Sequence, residues 1–159
     1  MSWIEDNVKK ELSSFLFNIK VDLPNHNRVI QRDCRPDLPI DFELLEEQLM
    51  ETPEMLAFYD VILAYQKANV ETLERRVEYL KGVITRRLLK EAQAQKVSIR
   101  REDLKDLIEA EEEINQTKAR LILERCRENV LRAVVGSLKA KSENLRSLAG
   151  FKREEKRSP

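Results

Sequence analysis

The chain has 159 residues with 29 basic and 29 acidic side chains, and its 36% charged, 6% aromatic composition is that of solvated helices rather than of a thick globular core. Balanced charge removes the global basic excess that would advertise nucleic acid, and no apolar run approaches the roughly 20 residues needed to span a bilayer. Residues 1–6 lack the basic and apolar regions of a signal peptide, and Cys34 and Cys126 stand at no metal spacing, so a cytoplasmic, disulfide-free protein without membrane contact is expected.

Ile4, Val8, Leu12, Phe15 and Leu16 recur at helical spacing and predict a short amphipathic helix over residues 3–18. Residues 19–40 hold Pro24, Pro36 and Pro39 and read as a connector, with a brief extended piece around Arg28–Gln31. Asp41 is a cap for a second short helix, Phe42–Glu51, whose apolar side is Leu44, Leu45 and Leu49. Residues 1–51 thus form an N-terminal region of short helices and proline-rich connector.

Thr52-Pro53-Glu54 places a hydroxyl cap, a proline at the first helical position and an acid in the first turn, and predicts a new helix. Leu56, Tyr59, Leu63, Gln66, Val70, Leu73, Val77, Leu80 and Ile84 then step by threes and fours, a heptad seam of four repeats. Val97-Ser98-Ile99 is the expected break, with Ser98 capping a second long helix. Its stripe is Leu104, Leu107, Ile108, Ile114, Leu121 and Ile122, followed by a wider face at Val130, Leu131, Val134, Val135, Leu138, Leu145 and Leu148. Gly150 should end it, leaving a basic tail at 151–159.

The expected fold is all-α: a long antiparallel helical hairpin or coiled coil over residues 52–150, preceded by short N-terminal helices and oligomeric. Two helices of about 45–50 residues each reach roughly 70 Å at the α-helical rise. One partner helix should not cover the broad C-terminal face, so Leu131, Val135, Leu138, Leu145 and Leu148 are expected to carry homo-oligomerisation, as a ring of more than two subunits.

Zero net charge conceals alternating blocks. Residues 73–101 hold nine basic and three acidic groups, and residues 102–124 hold three and eight. Arg75, Arg76, Lys81, Arg86, Arg87 and Lys90, with Tyr79 among them, form a candidate phosphate-binding stripe. The alternative is neutralisation within the hairpin. A turn near residue 97 brings Arg86 and Arg87 beside Ile108 and Glu109, and lays Glu109–Glu113 against residues 82–86. From charge alone the second reading weighs more, since exposed ion pairs are the ordinary fate of such runs. Lys139, Lys141, Arg146, Lys152 and Arg153 are the next basic candidates.

Catalytic patterns are missing. His26 is the single histidine, and no phosphate-binding loop, dinucleotide fingerprint or HExxH occurs. Glu111, Glu112 and Glu113 are adjacent on a helix and point in different directions, so they do not assemble a metal site. The chain is expected to act by binding, with no metal or other cofactor.

Residues 73–82, Leu-Glu-Arg-Arg-Val-Glu-Tyr-Leu-Lys-Gly, resemble a Leu-Lys-Ala-Arg-Leu-Asp-Tyr-Tyr-Ser-Gly segment of UvsY-like phage recombination mediators, and residues 138–150 resemble their terminal helix. The order of parts is similar over residues 38–153. The resemblance implies a ring-forming protein that binds single-stranded DNA and helps a strand-exchange recombinase displace single-strand-binding protein, in the host cytoplasm. The family's basic pair falls on Glu74 and Arg76: the arginine is kept, and the lysine position is acidic with Arg75 beside it. The rival expectation is a coiled-coil scaffold or adaptor that binds only protein, which the same heptads explain without DNA.

Overall fold

A computed structural model describes residues 18–23 and 28–155. The helix expected over residues 3–18 falls almost wholly outside this range, as do Trp3 and His26. The described elements are strands β1 (Asn18–Leu23) and β2 (Arg28–Asp33), a 3₁₀ turn at Arg35–Asp37, and helices α1 (Leu45–Ala94), α2 (Arg101–Ala110) and α3 (Glu112–Glu155). The chain is mostly helical, but the all-α expectation is corrected by the strands. They pair antiparallel, from Asn18 opposite Asp33 to Leu23 opposite Arg28. Ile19 and Val21 alternate with Asn18, Lys20 and Asp22, the period of a strand with one buried face.

The start signal at Thr52-Pro53 is also corrected, because α1 is continuous through it. Residues 42–44 precede the helix; Asp41 Oδ1 accepts from the Glu43 amide at 2.9 Å, and the first turn begins at Leu45. Pro53 supplies no N–H for the carbonyl four residues back. At the residue just before it, Thr52 Oγ1 donates to the Gln48 carbonyl at 2.6 Å, so that hydroxyl is turned into the helix instead of capping a new one. Burial of Leu45 and Thr52 before the proline and of Tyr59 after it holds the turns on both sides together.

The second helix begins at Arg101 without a side-chain cap, so Ser98 does not cap it, and it breaks at Glu111, whose ψ of 125° is extended. Helix α3 then runs through Gly150 to Glu155, past the expected stop, because that glycine keeps a negative φ. Residues 151–155 are therefore helical rather than tail. No helix among the described residues is long and apolar enough to cross a membrane.

The chain divides into two compact units: residues up to Lys67 with Cys126 onward, and Ala68–Arg125. In the first, Leu45 and Leu49 near the start of α1 line a shallow depression with Ala149 and Arg153 near the end of α3, so the two helices are antiparallel there. Its core joins Tyr59, Ile62 and Leu63 of α1 to Leu131, Val134, Val135 and Leu138 of α3, and to Ile19, Val21 and Cys34 of the hairpin region. Leu131, Val135, Leu138 and Leu145 are buried inside one chain, and Leu148 is half-buried. The premise that this face stays open is thereby corrected: the β-hairpin is the extra layer that helps a single partner helix cover it.

Asp37 ties that unit together. Its carboxylate accepts from Arg32 Nε at 2.9 Å and Arg32 Nη2 at 3.0 Å, and from the Tyr59 hydroxyl at 2.6 Å. Its carbonyl accepts from buried Lys141 Nζ at 2.9 Å. Burial pushes the carboxyl pKa up, but the bonds from Arg32 and Tyr59 outweigh it and hold Asp37 below the usual carboxylate value. Burial and the same carboxylate push the Tyr59 phenol up, and burial pushes the Lys141 ammonium down.

In the second unit Leu80, Ile84 and Ile114 form a small core flanked by Leu88 and Ile108. Helix α1 ends there in a Schellman turn, with the Val97 amide donating to the Ala92 carbonyl at 2.9 Å and the Lys96 amide to Gln93 at 3.2 Å. Lys96 occupies the left-handed position, at φ 55°, where glycine is the usual residue.

Candidate nucleic-acid interface

All seven residues of the candidate stripe lie on α1 within the second unit. Val70, Val77, Leu80 and Ile84 are its buried side. At about 100° per residue, Arg75, Tyr79, Arg86 and Lys90 fall on the opposite side of the helix with Val83 beside them, and Arg76 and Arg87 lie on one flank between that side and the core. Lys81 does not join them: two residues beyond Tyr79, it is turned about 200° away, onto the edge of the core. It pairs there with Glu78 at 2.7 Å.

The remaining six divide into two groups. Arg76 and Arg87 are engaged across the unit: Arg76 Nη2 donates to Glu113 Oε1 at 2.9 Å, and Arg87 Nη2 donates to Glu111 Oε1. Part of the basic block is thus neutralised by the acidic run, in a register that differs from a simple hairpin. Glu109 meets Lys118 at 3.6 Å instead of the basic stretch at 82–86. The break at Glu111 is the cause, since it turns the chain before α3 and presents Glu111 and Glu113 to arginines about 16 Å apart along α1.

Arg75, Arg86 and Lys90 make no bond to α3 among the described residues. Arg75 is 83% exposed and sits 3.6 Å from Glu71 of its own helix. Arg86 Nε donates to the Gly82 carbonyl at 3.2 Å. Tyr79 is 60% exposed, with the Arg76 guanidinium carbon 5.8 Å from its ring centroid. Tyr79, Val83, Arg86, Arg87 and Lys90 line one shallow open depression. Arg86 and Lys90, with an aromatic ring, an aliphatic side chain and Arg87 already paired to Glu111 at the edge, suit a phosphate backbone and an unstacked base.

Glu74, at the position where the resembled segment has lysine, accepts from Arg125 Nη2 at 2.6 Å. Among the later basic candidates Lys141 is excluded, being 5% exposed and bonded to Asp37. Lys152 and Arg153 lie in the last turn of α3, where cations suit the helix dipole. Val83 was missed by reading charge alone. Its signal was the spacing of four from Tyr79 and three from Arg86, which puts all three on one face.

Compared with family models, curated proteins and solved structures, the chain finds no match.

Proposed function

We propose that the chain binds single-stranded DNA through Arg75, Tyr79, Arg86 and Lys90, with Arg76 and Arg87 at the margin. In this reading it is a homo-oligomeric, cofactor-free mediator of phage homologous recombination that assists loading of a strand-exchange recombinase against single-strand-binding protein. The observation that supports DNA contact is the depression lined by Tyr79, Val83, Arg86, Arg87 and Lys90, where cations surround an exposed ring. The recombination context rests on the resemblance of residues 73–82 and 138–150 to UvsY-like mediators.

Anisotropy of a labelled single-stranded oligonucleotide tests this. Binding is expected to be indifferent to base sequence and to weaken with salt, with a log–log slope of about −0.7 per phosphate neutralised. The second reading, a scaffold that binds only protein, draws on the engagement of Arg76 by Glu113 and of Arg87 by Glu111. It requires no single-strand binding even at low salt, and that result would replace the first reading.

A further inference from the structure

Opposite its core seam, α1 carries a second apolar line. Ala57, Val61 and Ala64 are spaced four and three apart and all are exposed, Val61 at 54%. They point away from Tyr59, Ile62, Leu63 and Gln66, which are buried on the other side of the same turns. Asp60 and Lys67 flank the line on one side; both are exposed, and neither has an ion-pair partner in the chain among the described residues. Phe58, 37% exposed, and half-buried Tyr65 flank it on the other.

We propose that this face docks on the same face of a second copy of the chain, with the two α1 helices antiparallel about a two-fold axis. The charges decide the orientation. In heptad terms Val61 is an a position, Ala57 and Ala64 are d, Asp60 and Lys67 are g, and Phe58 and Tyr65 are e. Antiparallel pairing sets a against d, so Val61 meets Ala64 of the second copy and the reverse contact repeats it. Reversal also sets g against g, which brings Asp60 to Lys67 of the second copy, twice. The e positions meet likewise, Phe58 against Tyr65, twice. A parallel pair would instead oppose Asp60 to Tyr65 and Lys67 to Thr72, with no charge compensated.

A two-fold contact uses one surface on both subunits, and this segment is complementary to its own reverse. Alanine at both d positions lets the helix axes approach toward the close end of the usual range of about 8–10 Å. Glu54, next on the same line, ends the apolar segment on its N-terminal side. The pairing does not depend on the cationic strip, whose residues all lie beyond Lys67.

Sedimentation velocity of the full chain, across micromolar to millimolar concentrations, tests the pairing. The native protein is expected to self-associate. Asp60→Lys turns two attractive contacts into two repulsive ones and should raise the dissociation constant about tenfold. Lys67→Asp should do the same, while the double variant Asp60→Lys with Lys67→Asp restores association to near the native level. These positions are exposed, so helical content should be native throughout. A native chain that stays monomeric, a single reversal without effect, or a double variant as weak as the singles would each overturn the proposal.

Discussion

The hydroxyl of Tyr59, on the buried seam of α1, donates a 2.6 Å hydrogen bond to Oδ2 of Asp37, which follows the β-hairpin. The heptad pattern places Tyr59 on the seam, and the bond gives its polar end a partner that the pattern does not reveal. Through it the seam is joined to Arg32 of β2 and, by the Asp37 carbonyl, to Lys141 of α3.

Tyr59→Phe keeps the ring and removes the bond. Because the acceptor is a buried, charged carboxylate, the loss is expected to be about 1.5–3 kcal/mol, larger than for a neutral pair. Urea denaturation measures it as a lower midpoint with an unchanged slope.

Asp37 also sets a pH dependence. Its folded pKa lies below the unfolded value, so its contribution is fully present above the unfolded pKa of about 4 and is lost as pH falls through the folded one. The Tyr59 phenol is raised, so its contribution holds below an unfolded pKa of about 10 and declines above it. The part of the stability set by these two groups should therefore be level between these limits and fall on both sides. Asp37→Asn should be less stable at neutral pH and show a shallower acid limb, read by denaturation at a series of pH values.

Lys96→Gly is expected to stabilise the chain. A side chain in the left-handed region costs about 1–2 kcal/mol, and part of the gain from glycine is offset by its greater freedom when unfolded. A net rise of roughly 0.5–1 kcal/mol should appear as a higher midpoint in thermal or urea unfolding.

Leu138 of α3 is fully buried in the core shared with α1 and the hairpin strands. Leu138→Ala should cost about 2–5 kcal/mol of folding stability. Leu138→Glu should unfold the first unit rather than merely part subunits, and circular dichroism distinguishes the two.

For DNA, Arg86→Glu with Lys90→Glu should weaken single-strand binding and reduce the magnitude of the salt slope by about 1.4, at 0.7 per lost phosphate contact. Arg76→Gln should weaken it less, since that guanidinium is already engaged by Glu113. Equal losses in the two anisotropy titrations would show that the ion pair does not hold Arg76 back.

The sequence alone determined the seam of α1, because helical periodicity is local: Tyr59, Leu63, Gln66, Val70, Val77, Leu80 and Ile84 are all buried where their spacing puts them. It also located the turn after α1, and it marked the basic block, since charge can be counted without a fold. It could not decide which cations were spoken for. That depended on the extended residue Glu111, which brings Glu111 and Glu113 to Arg87 and Arg76 and leaves Arg75, Arg86 and Lys90 on the open side. Nor could it decide what covers Leu131, Val135 and Leu138. Six alternating residues in β1 are a weak signal, and their strand is realised only when Ile19 and Val21 find a helical surface to bury against, built by α1 and by α3 residues more than a hundred positions away along the chain.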